Sequence, residues 1–175
     1  MIARFRFSNQ KHDAAVLILG FALANAAAAA GLSEVKQTVF GMDCAPCAHG
    51  VEKGLSKIDG VKDVSVSLND GYALVRLEPD NAVTLEQIRL VIRENGFTPK
   101  DAAVVVSGTL TRADDQLVLV SGANTSRQFS LVASPDAQSA WRQLQALPQS
   151  AMVEIEARAG ESDTTRLSVL TVKRP

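Results

Sequence analysis

The sequence predicts an α+β protein in two parts, a βαββαβ unit over residues 34–101 and a small β-barrel over residues 102–175. Short runs of alternating apolar and polar residues are typical of half-buried strands, and apolar residues three or four positions apart indicate amphipathic helices. Turn residues separate these runs. The chain has 175 residues, of which 46% are apolar and 21% charged. This composition is that of a globular protein with one or two small domains, and it excludes a large multi-domain enzyme.

The first thirty residues have the pattern of a secretory signal peptide. Basic residues come first, and the uncharged, Ala-rich run Ala14–Ala30 follows them. Small residues allow cleavage after Ala26 or after Ala30, of which Ala30 is the preferred site. The run is shorter than the roughly 20 strongly apolar residues of a membrane-spanning helix. The sequence therefore predicts a signal peptide over residues 1–30 and an exported, periplasmic protein. An uncleaved membrane anchor is the less favoured alternative.

The first unit begins with a strand over Glu34–Met42 and continues, after a loop at Gly41, into a helix. Pro46 is compatible with the first helical turn, where its missing N–H would be unpaired anyway. The apolar stripe of this helix consists of Cys47, Val51, Leu55 and Ile58. Because Cys47 begins that stripe, the sequence places it at the N-terminal end of the helix, on the face that packs against the core.

A hairpin, a second helix and a final strand complete the unit. Two alternating runs flank Asn69-Asp70-Gly71, which is typical of a tight turn between antiparallel strands. Thr84, with Gln87 three residues later, has the pattern of a capping box, and Asn95-Gly96 suits the end of that helix. The last strand begins near Phe97. The order strand, helix, strand, strand, helix, strand is that of a ferredoxin-like unit.

Residues 102–175 show three strands, a helix and two further strands, which is the order of an OB-like barrel. The helix begins after Ser134 and carries Trp141 on its buried stripe. This half has balanced charge and few aromatic residues, so it lacks the basic groove and stacking platforms of nucleic-acid binding. It also contains no cysteine or histidine. We interpret it as an interaction or structural module and predict neither nucleic-acid nor lipid binding.

Cys44 and Cys47 are the only cysteines in the chain, so a disulfide framework is excluded and a site better explains their spacing. Cys44 lies in the loop and Cys47 in the first helical turn, so their sulfurs can converge. The N–H groups and dipole of a helix N-terminus favour thiolates. Two thiolates suit a soft ion such as Cu(I) or Hg(II), and are too few for structural zinc, which takes four ligands. We therefore predict one bound soft metal ion.

The loop Gly41-Met42-Asp43-Cys44-Ala45-Pro46-Cys47, followed by Gly60-Val61 and Val64-Ser65-Val66, resembles the heavy-metal-associated domain family over roughly Glu34–Ala103. Because export is predicted, the chain resembles most the periplasmic mercury-binding proteins of this family. Copper chaperones and the metal-binding domains of metal-exporting ATPases are related members. The resemblance implies a metallochaperone that transfers its ion by thiolate exchange. It also implies that the partner is a metal-transporting membrane protein or another thiol site.

The resemblance implies roles for individual residues. Cys44 and Cys47 would be the metal ligands, Met42 a buried support beneath the loop, and Phe97 an aromatic shield beside the site. Asp43 resembles the Asp of zinc, cadmium and lead exporter domains, so two interpretations stay open. It is a third, harder ligand for Zn(II) or Cd(II), or it caps the helix. Cu(I) or Hg(II) is the favoured prediction.

Thiol-disulfide redox chemistry and enzymatic catalysis are less favoured than metal binding. Cys-Ala-Pro-Cys has the Pro of thiol-disulfide oxidoreductase motifs, but Asp43 stands where that family usually has an aromatic residue, and the unit is too short for its fold. An oxidised Cys44–Cys47 pair is compatible with a resting state in an oxidising compartment. His49 lies about 200° around the helix from Cys47, which indicates a surface position. Since general bases are scarce, we do not expect an enzyme.

Overall fold

The computed structural model describes residues 31–122 and 127–174, and the predicted signal peptide over residues 1–30 lies outside the described residues. A 3-10 turn at Pro135–Ala137 precedes the third helix. The helices and strands are, in chain order, β1 (Gly31–Phe40), α1 (Ala45–Leu55), β2 (Val61–Ser67), β3 (Tyr72–Leu77), α2 (Leu85–Glu94), β4 (Thr98–Ala113), β5 (Gln116–Ser121), β6 (Arg127–Ala133), α3 (Gln138–Gln145), β7 (Met152–Ala159) and β8 (Arg166–Lys173).

The first four strands pair in the order β2–β3–β1–β4, all antiparallel, and this is the predicted βαββαβ unit. Gly71 closes the β2–β3 hairpin with a φ of 63°, which glycine adopts without steric cost. Val39 N donates a hydrogen bond of 2.8 Å to Gly71 O, and Phe40 pairs with Thr98 at the start of β4. The end of β1, the hairpin turn and the start of β4 therefore meet at one edge of the sheet. The loop between β1 and α1 begins at that edge.

The two helices of the first unit bury apolar stripes against this sheet. α1 buries Val51 and Leu55, and α2 buries Leu85, Ile88 and Ile92. These side chains belong to a single hydrophobic core that also contains apolar residues of β4–β8 and α3. Both halves of the chain therefore share one core.

The start of α2 has the predicted capping box. The Thr84 hydroxyl accepts a hydrogen bond from Gln87 N at 3.1 Å, and Gln87 Oε1 accepts one from Thr84 N at 2.8 Å. These two bonds satisfy backbone N–H groups that the helix itself leaves unpaired.

Replacing Thr84 with Ala removes this cap, and we expect the free energy of unfolding to fall by about 1 kcal/mol. Urea denaturation followed by circular dichroism measures the change. Gln143→Ala, at an exposed position in α3, is the control and should stay within about 0.5 kcal/mol of the wild type. An unchanged Thr84→Ala variant would show that the cap contributes nothing to stability.

The C-terminal strands close into a ring in which β4 pairs with β5, β5 with β6, β6 with β8, β8 with β7, and β7 again with β4. All these pairs are antiparallel except β6–β8, which is parallel. α3 follows β6 and packs against β8. The second half is thus a five-stranded barrel that uses β4 as one of its strands.

β4 differs from the sequence-based expectation of two strands, one near Phe97 and one from Val104. It is a single strand of 16 residues, and the boundary predicted between residues 101 and 102 falls inside it. No Gly or turn dipeptide interrupts residues 98–107, and Pro99 lies at the second position of the strand, where a missing N–H is tolerated. β4 pairs with β1 on one side and with β7 on the other.

Candidate metal centre

Cys44 and Cys47 lie together where the β1–α1 loop becomes the helix. Cys44 is the N-cap residue of α1, and its Sγ accepts a hydrogen bond from Cys47 N at 3.2 Å. Cys47 occupies the first turn, as the sequence predicts. The two sulfurs are joined in a disulfide, and the Cα atoms are 5.1 Å apart. The Cys44 sulfur thus lies at the N-terminus of α1, where backbone N–H groups and the helix dipole stabilise a thiolate.

Two residues named from the resemblance lie close to this loop. Met42 is buried, with 5% of its surface exposed. Phe97 is half-buried, and its Cδ1 atom would lie 4.0 Å from a Cβ built on Gly41. Phe40, which precedes the loop, is 68% exposed. Met42 is therefore a buried residue of the loop, and Phe97 lies beside the start of the loop at Gly41.

Asp43 is exposed and does not cap α1, because Cys44 occupies the N-cap position. The capping interpretation of Asp43 is therefore wrong. Among residues 31–122 and 127–174, no group of three or more His, Cys, Asp or Glu side chains is arranged to hold a metal ion. The His49 side chain is 76% exposed, and its Nδ1 atom lies 3.9 Å from Glu52 Oε2. Its surface position agrees with the helical geometry.

A buried polar network that the sequence did not predict joins α2 to β1. Arg89 of α2 is 1% exposed and Gln37 of β1 is fully buried. Arg89 Nε donates a hydrogen bond of 3.0 Å to Gln37 Oε1. Arg89 lies four positions after Leu85 and three before Ile92, so its place on the buried face of α2 was readable from the helical period.

Arg89 also reaches into the C-terminal half of the chain. Its Nη1 atom donates to Glu161 O at 2.9 Å, and its Nη2 atom donates to Lys100 O at 3.2 Å. Burial lowers the pKa of Arg89 below its usual value, because the charged form loses hydration. Nearby, Lys100 Nζ and Glu161 Oε1 form an ion pair of 2.9 Å. The loop between β7 and β8 is thus held against α2 and β4.

In the part of the chain that the structure describes, no helix combines the length and apolarity that crossing a bilayer requires.

Comparison with known proteins gives matches to the first unit. Residues 37–98 match the family profile of the heavy-metal-associated domain. The copper chaperone CopZ of Staphylococcus saprophyticus is 39% identical over 62 residues, which are 35% of this chain and 90% of that protein. The human copper-transporting ATPase 2 is 39% identical over 67 residues, 38% of this chain, and the match spans only 4% of that protein.

Solved structures with similarity to the chain include one titled CopZ metallochaperone. It is 33% identical, the match covers 38% of this chain and 98% of that one, and the TM-score is 0.37. Oxidized MerP from Ralstonia metallidurans CH34 is 27% identical, with 42% and 96% covered and a TM-score of 0.36.

Proposed function

The chain belongs to the heavy-metal-associated domain family, and on this premise we propose that it binds one soft metal ion through Cys44 and Cys47 and passes it to another thiol site. The observation that carries the proposal is the position of both cysteines at one helix N-terminus. Cu(I) is favoured over Hg(II), since the relatives CopZ and ATPase 2 are named for copper. Soft thiolates prefer such an ion to the harder divalent metals.

Transfer proceeds by ligand exchange without redox change at the metal. Two thiolates leave the ion with open coordination positions, so a thiolate of the acceptor can bond to it before a bond to Cys44 or Cys47 breaks. The disulfide seen here must first be reduced by a dithiol, which supplies two electrons and two protons and is itself oxidised to a disulfide. The helix N-terminus then stabilises the freed thiolates.

The wider setting is also a proposal. A signal peptide over residues 1–30 directs the protein to the periplasm, and a metal-transporting membrane protein is the favoured partner, in line with the ATPase among the relatives. We propose that the barrel is OB-like. Its five strands close with one parallel pair, between the third and fifth, and with a helix between the third and fourth, and this order supports the proposal. The barrel serves as an interaction or structural module without nucleic-acid or lipid binding, and the protein is not an enzyme.

Zinc-type binding with Asp43 as a third ligand is the second candidate, because the exposed Asp43 carboxylate directly precedes Cys44. An Asp oxygen is a usual zinc ligand, and two thiolates with one carboxylate make a harder site than two thiolates alone.

The metal preference is tested by titrating reduced protein, residues 31–175, with Cu(I), Hg(II) and Zn(II) under anaerobic conditions against competing chelators. We expect one Cu(I) per chain, weak Zn(II) binding, and a Cu(I) affinity that Asp43→Thr leaves within about twofold, because a soft ion gains little from a carboxylate. Tight Zn(II) binding that Asp43→Thr removes would instead support the zinc-type site. Absence of any binding to the reduced wild-type protein would contradict metal carriage.

A further inference from the structure

We infer that Arg89 is a positioning residue through which the C-terminal barrel sets the geometry of the cysteine pair. The inference rests on the metal binding proposed above. It is carried by three links that start from the buried Arg89 and its helix. One joins the barrel to Arg89, one joins Arg89 to the strand that leads to Cys44, and one joins its helix to the helix that carries Cys47.

The first link fixes the barrel to α2. Arg89 Nη1 donates to Glu161 O at 2.9 Å, and Glu161 lies in the loop between β7 and β8. With 1% exposure, the guanidinium has exchanged its hydration for protein oxygens. A buried charge that loses a partner is costly, so this contact is held firmly. Among the described residues, no buried side-chain nitrogen or oxygen lacks a hydrogen-bond partner.

The second link runs along β1 towards Cys44. β4 carries an extra residue opposite Thr38, which is a β-bulge formed by Lys100 and Asp101. Gln37 Nε2 donates to Lys100 O at 2.8 Å and to Asp101 O at 3.1 Å, while Gln37 Oε1 accepts from Arg89. Arg89 and Gln37 together hold the carbonyl groups that the bulge removes from the strand ladder.

This bulge sets the register of the last part of β1. Beyond it, Val39 pairs with Pro99 and Phe40 with Thr98, and these are the last pairs before the loop that contains Cys44. Phe97, the residue directly before β4, lies beside the start of that loop at Gly41. A change in the bulge would therefore move the chain on both sides of Cys44.

The third link passes from α2 to α1. The two helices approach closely at glycines of α1: a Cβ built on Gly54 would lie 2.8 Å from Val91 Cγ1, and one on Gly50 would lie 3.2 Å from Asn95 Oδ1. Such close packing transmits a shift of one helix to the other, since interiors have few voids to absorb it. Because Cys47 lies in the first turn of α1, a shift of this helix moves Cys47 with it.

These links predict that removing the hydrogen bonds of Arg89 changes the geometry of the cysteine pair, although Arg89 itself makes no contact with the cysteines. In the full mature chain, we expect Arg89→Met to lower Cu(I) affinity about tenfold, the lower end of the usual effect of groups that orient metal ligands. The equilibrium of the Cys44–Cys47 disulfide with glutathione should shift in the same variant. Arg93→Met is the matched control, because Arg93 is on the same helix, is half-exposed and pairs with Glu86.

A readout at the barrel separates positioning from general destabilisation. In the wild type, Cu(I) loading should shift the NMR amide resonance of Ser162, which follows Glu161, and in Arg89→Met it should not. If Arg89→Met fails to fold by circular dichroism, Arg89→Lys carries the test, because it keeps the charge and the stem. The Cu(I) affinity of Arg89→Lys is expected to be lower than that of the wild type and of the Arg93→Met control. The loss should be smaller than tenfold.

The inference is overturned if a folded Arg89 variant keeps both Cu(I) affinity and the glutathione equilibrium within about twofold of the Arg93→Met control. It is also overturned if the wild-type protein binds Cu(I) and its Ser162 resonance does not respond. If the wild-type protein binds no Cu(I), the proposed function fails by itself. The glutathione equilibrium of Arg89→Met then still decides whether Arg89 positions the cysteines.

Discussion

Replacing Cys44 or Cys47 with Ser is expected to lower the Cu(I) affinity of the reduced protein at least about 100-fold. Four-ligand zinc sites bind with about 10–16 kcal/mol, which is about 3 kcal/mol per ligand, and 1.4 kcal/mol corresponds to a tenfold change in affinity. Ser has the shape of Cys but offers a hard, protonated oxygen in place of a soft thiolate. Anaerobic competition against a chelator of known affinity measures the loss.

His49→Ala is the control for these variants, because His49 lies on the same helix with an exposed side chain and should leave the affinity unchanged. Retention of tight binding in either Ser variant would contradict a two-thiolate site.

The wild-type protein is also expected to be inactive in an insulin-reduction assay. Catalytic reduction there would favour the thiol-disulfide alternative, in which the pair cycles between dithiol and disulfide.

Gly108→Ala is expected to lower the free energy of unfolding by about 3 kcal/mol, the upper part of the usual range for overpacking. Gly108 lies in β4 opposite Val153 of β7. A Cβ at this position would be 3.0 Å from the carbonyl carbon of Val120, closer still to its oxygen, and 3.1 Å from Leu119 Cγ. Backbone atoms cannot rotate away as a flexible side chain can, so β5 must move and its pairing with β4 weakens.

Urea denaturation of the mature chain measures this change through the midpoint and the slope. Gly160→Ala is the matched control, since a Cβ on Gly160 meets nothing within 4 Å, and it should stay within about 0.5 kcal/mol of the wild type. Equal stability of the two Ala variants would contradict the close approach of β5 to β4 at Gly108.

The periodicity of the sequence predicted the first unit well because its signals are local. The capping box at Thr84 and the turn at Gly71 depend on a few neighbouring residues, and both are present as expected. The grouping of Cys44 and Cys47 followed for the same reason, since they are separated by a single helical turn. Short-range geometry could therefore be read directly from residue types and spacing.

What was missed depends on contacts between distant residues. Arg89 is buried because Gln37, 52 residues away, and the carbonyl of Glu161, 72 residues away, receive its hydrogen bonds. No local rule brings these groups together. The continuity of β4 was missed for a related reason, because strands of two sheets in succession show the same alternation as one long strand. Residue preference made a helix cap one of the two interpretations of Asp43, although the cap is Cys44.

The unbroken β4 has a consequence for partners with more than one point of contact. Its 16 residues extend up to about 50 Å at about 3.3 Å per residue, and they join the cysteine loop to the barrel without a flexible linker between them. A flexible tether lets its two ends sample many separations, whereas a strand paired on both sides keeps its two ends at a single separation. A partner complex that binds the barrel and the cysteine loop at the same time gains avidity only when its own two binding sites have that separation. With any other separation the avidity is lost. The length of β4 would thus set the separation that such a complex must match.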